Sequence, residues 1–410
     1  MNIVIAGHFV FPTGSAAAYR IKYFARGLME LGHKIFVLPM LPVKTDEDTP
    51  AKADWCYYQG IPYYYTAGWL TPCIQNSGSK KLVSFLTGLR KALRVTIAQV
   101  DQIHQNTGVD VLVGYSNYYL GMHGLTKFCQ DKDIVVVRDV VEWLGPDSFS
   151  GGRCNPLFWN SSLNFHLSVP NSEGIITISQ FLTDWFSAKG IKVIRIPAII
   201  SPDSFSCDTF VLKTEHDPVF QLTYTGTMAQ RDGPMLMLQA VRKVLKAGYK
   251  VFFNIVGSSS ERGTARQAKY FAQSDSVLKS HVKFWGWLSE PEMKQSLCHS
   301  DALVFTRLAG RPAKAAFPTR LPEYLMTGKP VISSDVSDIS EYLTDGKEAV
   351  IVKPDSVEAL TKGIIKLIEL PDRGKAIGQA GKKKCCECFN YRTRCKEISD
   401  FLEDLVTTSK

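Results

Sequence analysis

The sequence has no run of eighteen apolar residues, so no transmembrane helix is expected. Its opening, MNIVIAGHFVF, lacks a basic n-region and a small-residue cleavage site and reads as a first strand rather than a signal peptide. A cytoplasmic chain is therefore expected. No GxGxxG fingerprint follows the first strand, which disfavours a nicotinamide cofactor. Net charge is +9, yet Lys and Arg form no long basic block and no nucleic-acid motif occurs. The ten cysteines do not make a disulfide framework. Their one cluster, Cys385, Cys386, Cys388 and Cys395, lacks the second well-spaced pair that a zinc site needs, so no metal is expected.

What is present is a soluble globular composition, 45% hydrophobic and 21% charged, over 410 residues, enough for two or three domains. NIVIA (2–6), a helical pattern over Ser15–Leu31 and a strand at Lys34–Leu38 form a βαβ opening. That implies a doubly wound parallel sheet whose ligands lie at the strands' carboxyl ends. Asp110–Gly114 and Ile134–Val137 continue the sheet, and Arg138, Asp139, Glu142 and Trp143 cluster just past it. Residues 44–80 read as an irregular loop or short hairpin rich in aromatics. Residues 81–105 read as a basic amphipathic helix with Leu82, Phe85, Leu89, Leu93 and Ile97 on one face.

A second domain opens near residue 200, where QLTYTG ends a strand at Gly226, a residue that lets backbone approach a ligand. The densest signal is FPTRLPEYLMTGKPVI (317–332), read as a short helix entered through Pro318 and closed by Gly328. Helix-end N–H groups beside Arg320 suit a phosphate, and Glu323 is placed to accept hydrogen bonds from vicinal hydroxyls such as those of a ribose. Arg307, Arg311, Lys314 and Arg320 put four cations within fourteen residues. Together these suggest a nucleotide site.

This stretch resembles the carboxyl-terminal signature of family 4 glycosyltransferases, and most of all a bacterial subset reading roughly FPTKxxEYLxxGKPVV. The resemblance extends over nearly the whole chain. It implies an α/β GT-B fold, two Rossmann-like doubly wound domains facing across a cleft: an acceptor-side domain over 1–199, with a helix near 396–410 packing back on it, and a donor domain over 200–395. It also implies a retaining glycosyltransferase that takes a nucleotide-diphosphate sugar, needs no metal or other cofactor, and works in cell-surface polysaccharide or lipopolysaccharide assembly.

Carried over by the resemblance, donor contacts fall to Gly14, Ser15, Arg20, Gly226, Thr227, Arg231, Trp287, Leu288, Arg307, Arg311 and Lys314, and to Phe317, Pro318, Thr319, Arg320, Leu321 and Glu323. Asp139 and Glu142 would meet the acceptor, and Arg320 and Glu323 count among the catalytic groups. Partners implied are the donor and a glycan or lipid-linked acceptor, with peripheral contact to an anionic inner membrane and no nucleic acid. The chain departs from the family pattern at four places. Thr227 and Asp232 replace the Arg and Lys that bind the diphosphate, Ala315 replaces the first signature glutamate, and Arg138 stands where a histidine is common. Two alternatives stay open: a non-transferring enzyme on this fold, such as a nucleotide-sugar epimerase, and a degenerate binding protein.

Overall fold

The computed structural model describes residues 1–41, 43–44, 54–67, 69–70, 79–205, 219–257 and 263–409, without side chains for 43–44, 69–70 and 79–86. The chain divides into two compact units, Met1–Ile199 with Tyr391–Lys410, and Ile200–Asn390.

In the first unit the strands are β1 (Asn2–Gly7), β2 (Lys34–Pro39), β3 (Val43–Lys44), β4 (Cys56–Tyr58), β5 (Ile61–Tyr63), β6 (Trp69–Leu70), β7 (Val111–Tyr115), β8 (Val135–Val140), β9 (Gly174–Thr177) and β10 (Val193–Arg195). Eight of them form one sheet in the order β10-β9-β8-β7-β1-β2-β5-β4, while β3 pairs with β6. Every pairing in the large sheet is parallel except the β4–β5 hairpin. The chain leaves β1 toward β2 and returns on the other side as β7, so the order reverses between β1 and β7. At such a reversal the two crossover helices diverge to opposite faces and leave a crevice at the strand ends.

β1 reads as an unbroken apolar run because both of its faces are covered. Ile3 and Ile5 join one core, with Ile21, Phe24 and Leu28 of the Ala16–Glu30 helix and Ile398 and Leu402 of the Tyr391–Ser409 helix. Val4 and Ala6 join the other, with Val100 and Ile103 of the Ser79–Thr107 helix and Met122 and Leu125 of the Tyr119–Gln130 helix. The last helix begins earlier than the helix near 396–410 expected from the sequence, at Tyr391, whose ring stacks on Tyr23 at 5.5 Å. In the 44–80 segment, the described part of the expected irregular region holds the β4–β5 hairpin at the sheet edge. Of the apolar face expected on helix 81–105, Leu89 is buried and Leu93 and Ile97 pack against the second core, while Leu82 and Phe85 lie outside the described side chains.

The second unit has β11 (Phe220–Thr225), β12 (Val251–Val256), β13 (Val282–Gly286), β14 (Ala302–Phe305), β15 (Val331–Ser334) and β16 (Val350–Val352). All are parallel, in the order β13-β12-β11-β14-β15-β16, and the reversal falls between β11 and β14. Cys385 lies in this unit, its thiol against the Pro322 carbonyl, whereas Cys395 lies in the first, against the Tyr23 carbonyl. Burial pushes both thiols up, so each acts as a packed apolar group.

Close packing of the last helix on the first rests on Gly27, where an added Cβ would meet Cys395 Sγ at 2.5 Å. Gly27→Ala is therefore expected to destabilise the protein by about 1–3 kcal/mol, the usual cost of overpacking. A thermal melt reads this, and an unchanged midpoint would refute the contact.

Candidate functional site

The second unit's reversal point is built from the end of β11. Thr225 is pinned there by Tyr324, whose hydroxyl accepts the Thr225 N–H at 2.7 Å and lies 3.0 Å from Thr225 Oγ1. Gly226 follows at φ 153°, where an added Cβ would stand 2.4 Å from Tyr224 Oη and 2.5 Å from Arg320 Nη2. No other residue fits. Gly257, at the end of β12, is as close to the Gly226 carbonyl, 2.3 Å from its own notional Cβ.

Below Gly226 lies Asp232, 1% exposed. It accepts the Tyr224 hydroxyl at 2.8 Å and Arg320 Nη1 at 3.2 Å on Oδ2, while Arg307 Nη2 stands 3.9 Å from Oδ1. Its backbone is fixed as well, by Thr306 Oγ1 donating to the Asp232 carbonyl at 2.6 Å. Burial opposes the Arg320 charge, but Tyr224 and Asp232 beside it outweigh this and hold its pKa above the ordinary value. Tyr224 is pushed up by burial, with Arg320 working against the shift, and stays a neutral donor.

Of the residues expected at the donor, Gly226, Arg307 and Arg320 are thus gathered in one place, with Glu323 half-buried in the first turn of the Arg320–Met326 helix. That helix starts two residues later than the Pro318 entry read from the sequence, and Pro322 lies inside its first turn. Phe317 and Leu321 are core residues instead: Phe317 packs on Tyr342 and Phe389 at 5.6 Å each, and Leu321 is fully buried. Pro318 is buried and Thr319 exposed. Ala315, at the first signature position, is also fully buried, where a glutamate would need a partner. Arg311 and Lys314 lie exposed on the short Arg311–Ala315 helix. Thr227 and Arg231 are exposed, Leu288 is half-buried, and Trp287 is 77% exposed. Tyr224, Tyr324 and the anchoring role of Asp232 escaped the sequence reading. An acidic residue at a position that elsewhere holds a cation was the available signal.

In the first unit the expected contacts are differently arranged. Ser15 caps the Ala16–Glu30 helix, accepting the Ala18 N–H at 3.1 Å, and Gly14 is exposed in the loop before it. Arg20 and Asp139, assigned to donor and acceptor, bind each other in the interior: Nε–Oδ2 is 2.8 Å and Nη2–Oδ1 is 2.9 Å. Arg20 also donates to the carbonyls of Pro197 and Ile196. Parallel pairing at the end of β8 points successive side chains to opposite faces, so Asp139 turns toward the Ala16–Glu30 helix and Arg138 away from it.

Arg138, fully buried, bonds Asn164 Oδ1 at 3.0 Å, Ser168 Oγ at 3.1 Å and the Ser116 carbonyl at 3.3 Å, with no carboxylate partner among the described residues. Burial lowers its pKa to about 10. His8, paired with Ser116 at 2.6 Å, is pulled to about 3 by burial and then by Arg138. Glu142 accepts Asn117 Nδ2 at 2.7 Å and lines a small cavity with Ser116, Asn117, Trp143 and Asn164. It is the one acceptor-side carboxylate of the two that retains a cavity-facing position.

The two doubly wound parallel units define the class of the fold, GT-B. Residues 212–384, nearly the whole second unit, match the family described as Glycosyl transferases group 1. An uncharacterised glycosyltransferase of Methanocaldococcus jannaschii is 33% identical over 86 residues, 21% of this chain and 22% of that protein. The chain spans no more than about half the length of the curated relatives it matches. Among solved structures, sucrose-phosphate synthase from Thermosynechococcus elongatus superposes with a TM-score of 0.72 at 15% identity, covering 99% of both chains. Anabaena HepE in complex with UDP and glucose superposes with 0.69 at 16% identity, covering 98% of this chain and 100% of that one.

Two outcomes test the first unit. Asp139→Ala should cost about 3–5 kcal/mol in denaturant unfolding, because it leaves Arg20 buried without its partner. The pair Arg20→Met with Asp139→Leu should cost much less, and equal losses would refute a buried ion pair. His8 takes up its proton near pH 6.5 when unfolded but only near 3 when folded. Its contribution to stability is therefore complete above pH 6.5 and is lost as pH falls toward 3, at up to about 1.4 kcal/mol per pH unit. His8→Asn should flatten that slope.

Proposed function

We propose that the protein is a retaining glycosyltransferase that moves a sugar from a nucleotide-diphosphate sugar to a hydroxyl acceptor. The observation that carries this reading is the Gly226 turn with the Arg320 guanidinium directly against it, at the order reversal of the second sheet. A residue without a side chain leaves the space in which the Arg320 guanidinium lies against the backbone, and Arg320 with Arg307 supplies charge where negative charge grows as the leaving group departs. The match of residues 212–384 to a glycosyltransferase family and the fold shared with a UDP-bound protein support the same reading.

In the proposed reaction the acceptor oxygen bonds to the anomeric carbon on the face from which the diphosphate leaves, the carbon–oxygen bond to phosphate breaks, and the acceptor proton passes to a phosphate oxygen. Retention follows from that front-face course. Glu323 is proposed to hold the ribose hydroxyls, and exposed Trp287 with Leu288 to flank the base. Glu142 and Asn117 are the first unit's proposed acceptor contacts, since Asp139 is bound to Arg20. Arginine charge replaces a metal in this scheme. A glycan or lipid-linked acceptor in cell-surface polysaccharide or lipopolysaccharide assembly, met on the cytoplasmic side of an anionic inner membrane, completes the proposal. Among the described residues no helix is long and apolar enough to cross a membrane.

Calorimetric titration with UDP, GDP, ADP and NAD, with and without EDTA, tests the reading. One nucleoside diphosphate should bind at micromolar strength regardless of EDTA, and Arg320→Ala or Glu323→Ala should weaken it at least about tenfold, as loss of a charged hydrogen bond does. Equal binding of NAD, or no diphosphate binding, would favour the degenerate binding protein. Donor turnover without an acceptor requirement would favour the epimerase.

A further inference from the structure

The Gly226 site already contains an anion. Asp232 is buried, receives Tyr224 Oη and Arg320 Nη1 on Oδ2, and turns Oδ1 toward Arg307, with no hydrogen bond to that oxygen among the described residues. The backbone that carries the carboxylate is fixed: the Asp232 N–H is bonded to the Ala229 carbonyl, the Asp232 carbonyl to Thr306 Oγ1, and the preceding Arg231 carbonyl to the Leu308 N–H. Arg320 is different. Its side chain is 23% exposed, against 1% for Asp232, and the guanidinium carbon lies 2.6 Å from the notional Cβ of Gly226. The same guanidinium therefore has one nitrogen on the carboxylate and another beside the backbone that an entering phosphate would approach.

We propose that Asp232 is a positioning residue that aims Arg320 and Arg307 at the ligand's phosphates while its own charge limits how tightly those phosphates are held. The inference rests on the reading of this turn as a phosphate site. Two guanidinium groups around one carboxylate leave a net charge of +1 in place of +2, and like charges sharing an arginine oppose each other through an interior of low dielectric. A transferase needs such a limit, because its spent diphosphate is retained by the same groups that stabilised its departure. Tyr224 contributes by donating to Asp232 and drawing part of the carboxylate's charge away from Arg320.

The experiment uses the full chain, with inorganic pyrophosphate and UDP as probes and uridine as the neutral control. Asp232→Asn, which keeps the side-chain shape, is expected to bind both anions about tenfold more tightly and uridine unchanged. In an Arg320→Gln background the gain should shrink, and with Arg307→Gln added it should vanish, which a merely structural role of Asp232 would not produce. Tyr224→Phe, isosteric but lacking the hydroxyl, should shift pyrophosphate affinity the other way, several-fold weaker. Equal or weaker anion binding by a folded Asp232→Asn overturns the proposal, as does unchanged or tighter binding by Tyr224→Phe, or a gain that persists without both Arg320 and Arg307. If pyrophosphate binds and responds as stated but no nucleoside diphosphate does, the donor reading fails and the role of Asp232 stands. If no variant binds pyrophosphate, the role of Asp232 fails.

Discussion

A carboxylate taken out of water must be matched by positive charge and hydrogen bonds, and in the second unit that requirement organises the end of the sheet. Asp232 draws Arg320 and Arg307, from either end of the segment that follows β14, to one point beneath Gly226. The first unit applies the same rule through Arg20 and Asp139, which tie its first helix to the end of β8 and to the chain at Ile196 and Pro197. In each unit, then, an ion pair fixes the loops at the carboxyl ends of the strands. Those loops carry the chemistry of a doubly wound fold, so their rigidity bears directly on function.

The two pairs differ in what they leave free. Arg20 binds Asp139 and the Ile196 and Pro197 carbonyls inside its own unit and is 5% exposed, so its charge serves the fold. Arg320 shares its carboxylate with Tyr224 and keeps an exposed side, so its charge remains open to a ligand. Sequence position alone cannot separate these cases, because both are arginines near a glycine-containing turn. Burial separates them.

This difference marks how far the sequence could be read. The two parallel sheets were legible because buried strands such as NIVIA and VFFNIV are continuous apolar runs and the helices between them keep their spacing. Gly226, Arg307 and Arg320 were legible as well, since glycine after a strand and clustered cations have few other uses there. Phe317, Leu321 and Ala315 were not: a signature motif mixes residues that touch ligand with residues that pack the helix carrying them, and local pattern gives no sign of which is which. Arg20 with Asp139, and Tyr224 with Asp232, depend on contacts across 119 and 8 positions of sequence, respectively, that only the folded chain displays.

The Tyr391–Ser409 helix completes a core whose other members lie roughly two to four hundred residues earlier. Phe24, Ile21 and Val137 stay uncovered on one side until that helix has emerged from the ribosome. The second unit, by contrast, is one continuous segment of chain. Synthesis therefore delivers the second unit as a finished folding unit while the first still waits for that helix, and over that interval the nascent first sheet is the part most in need of chaperone cover.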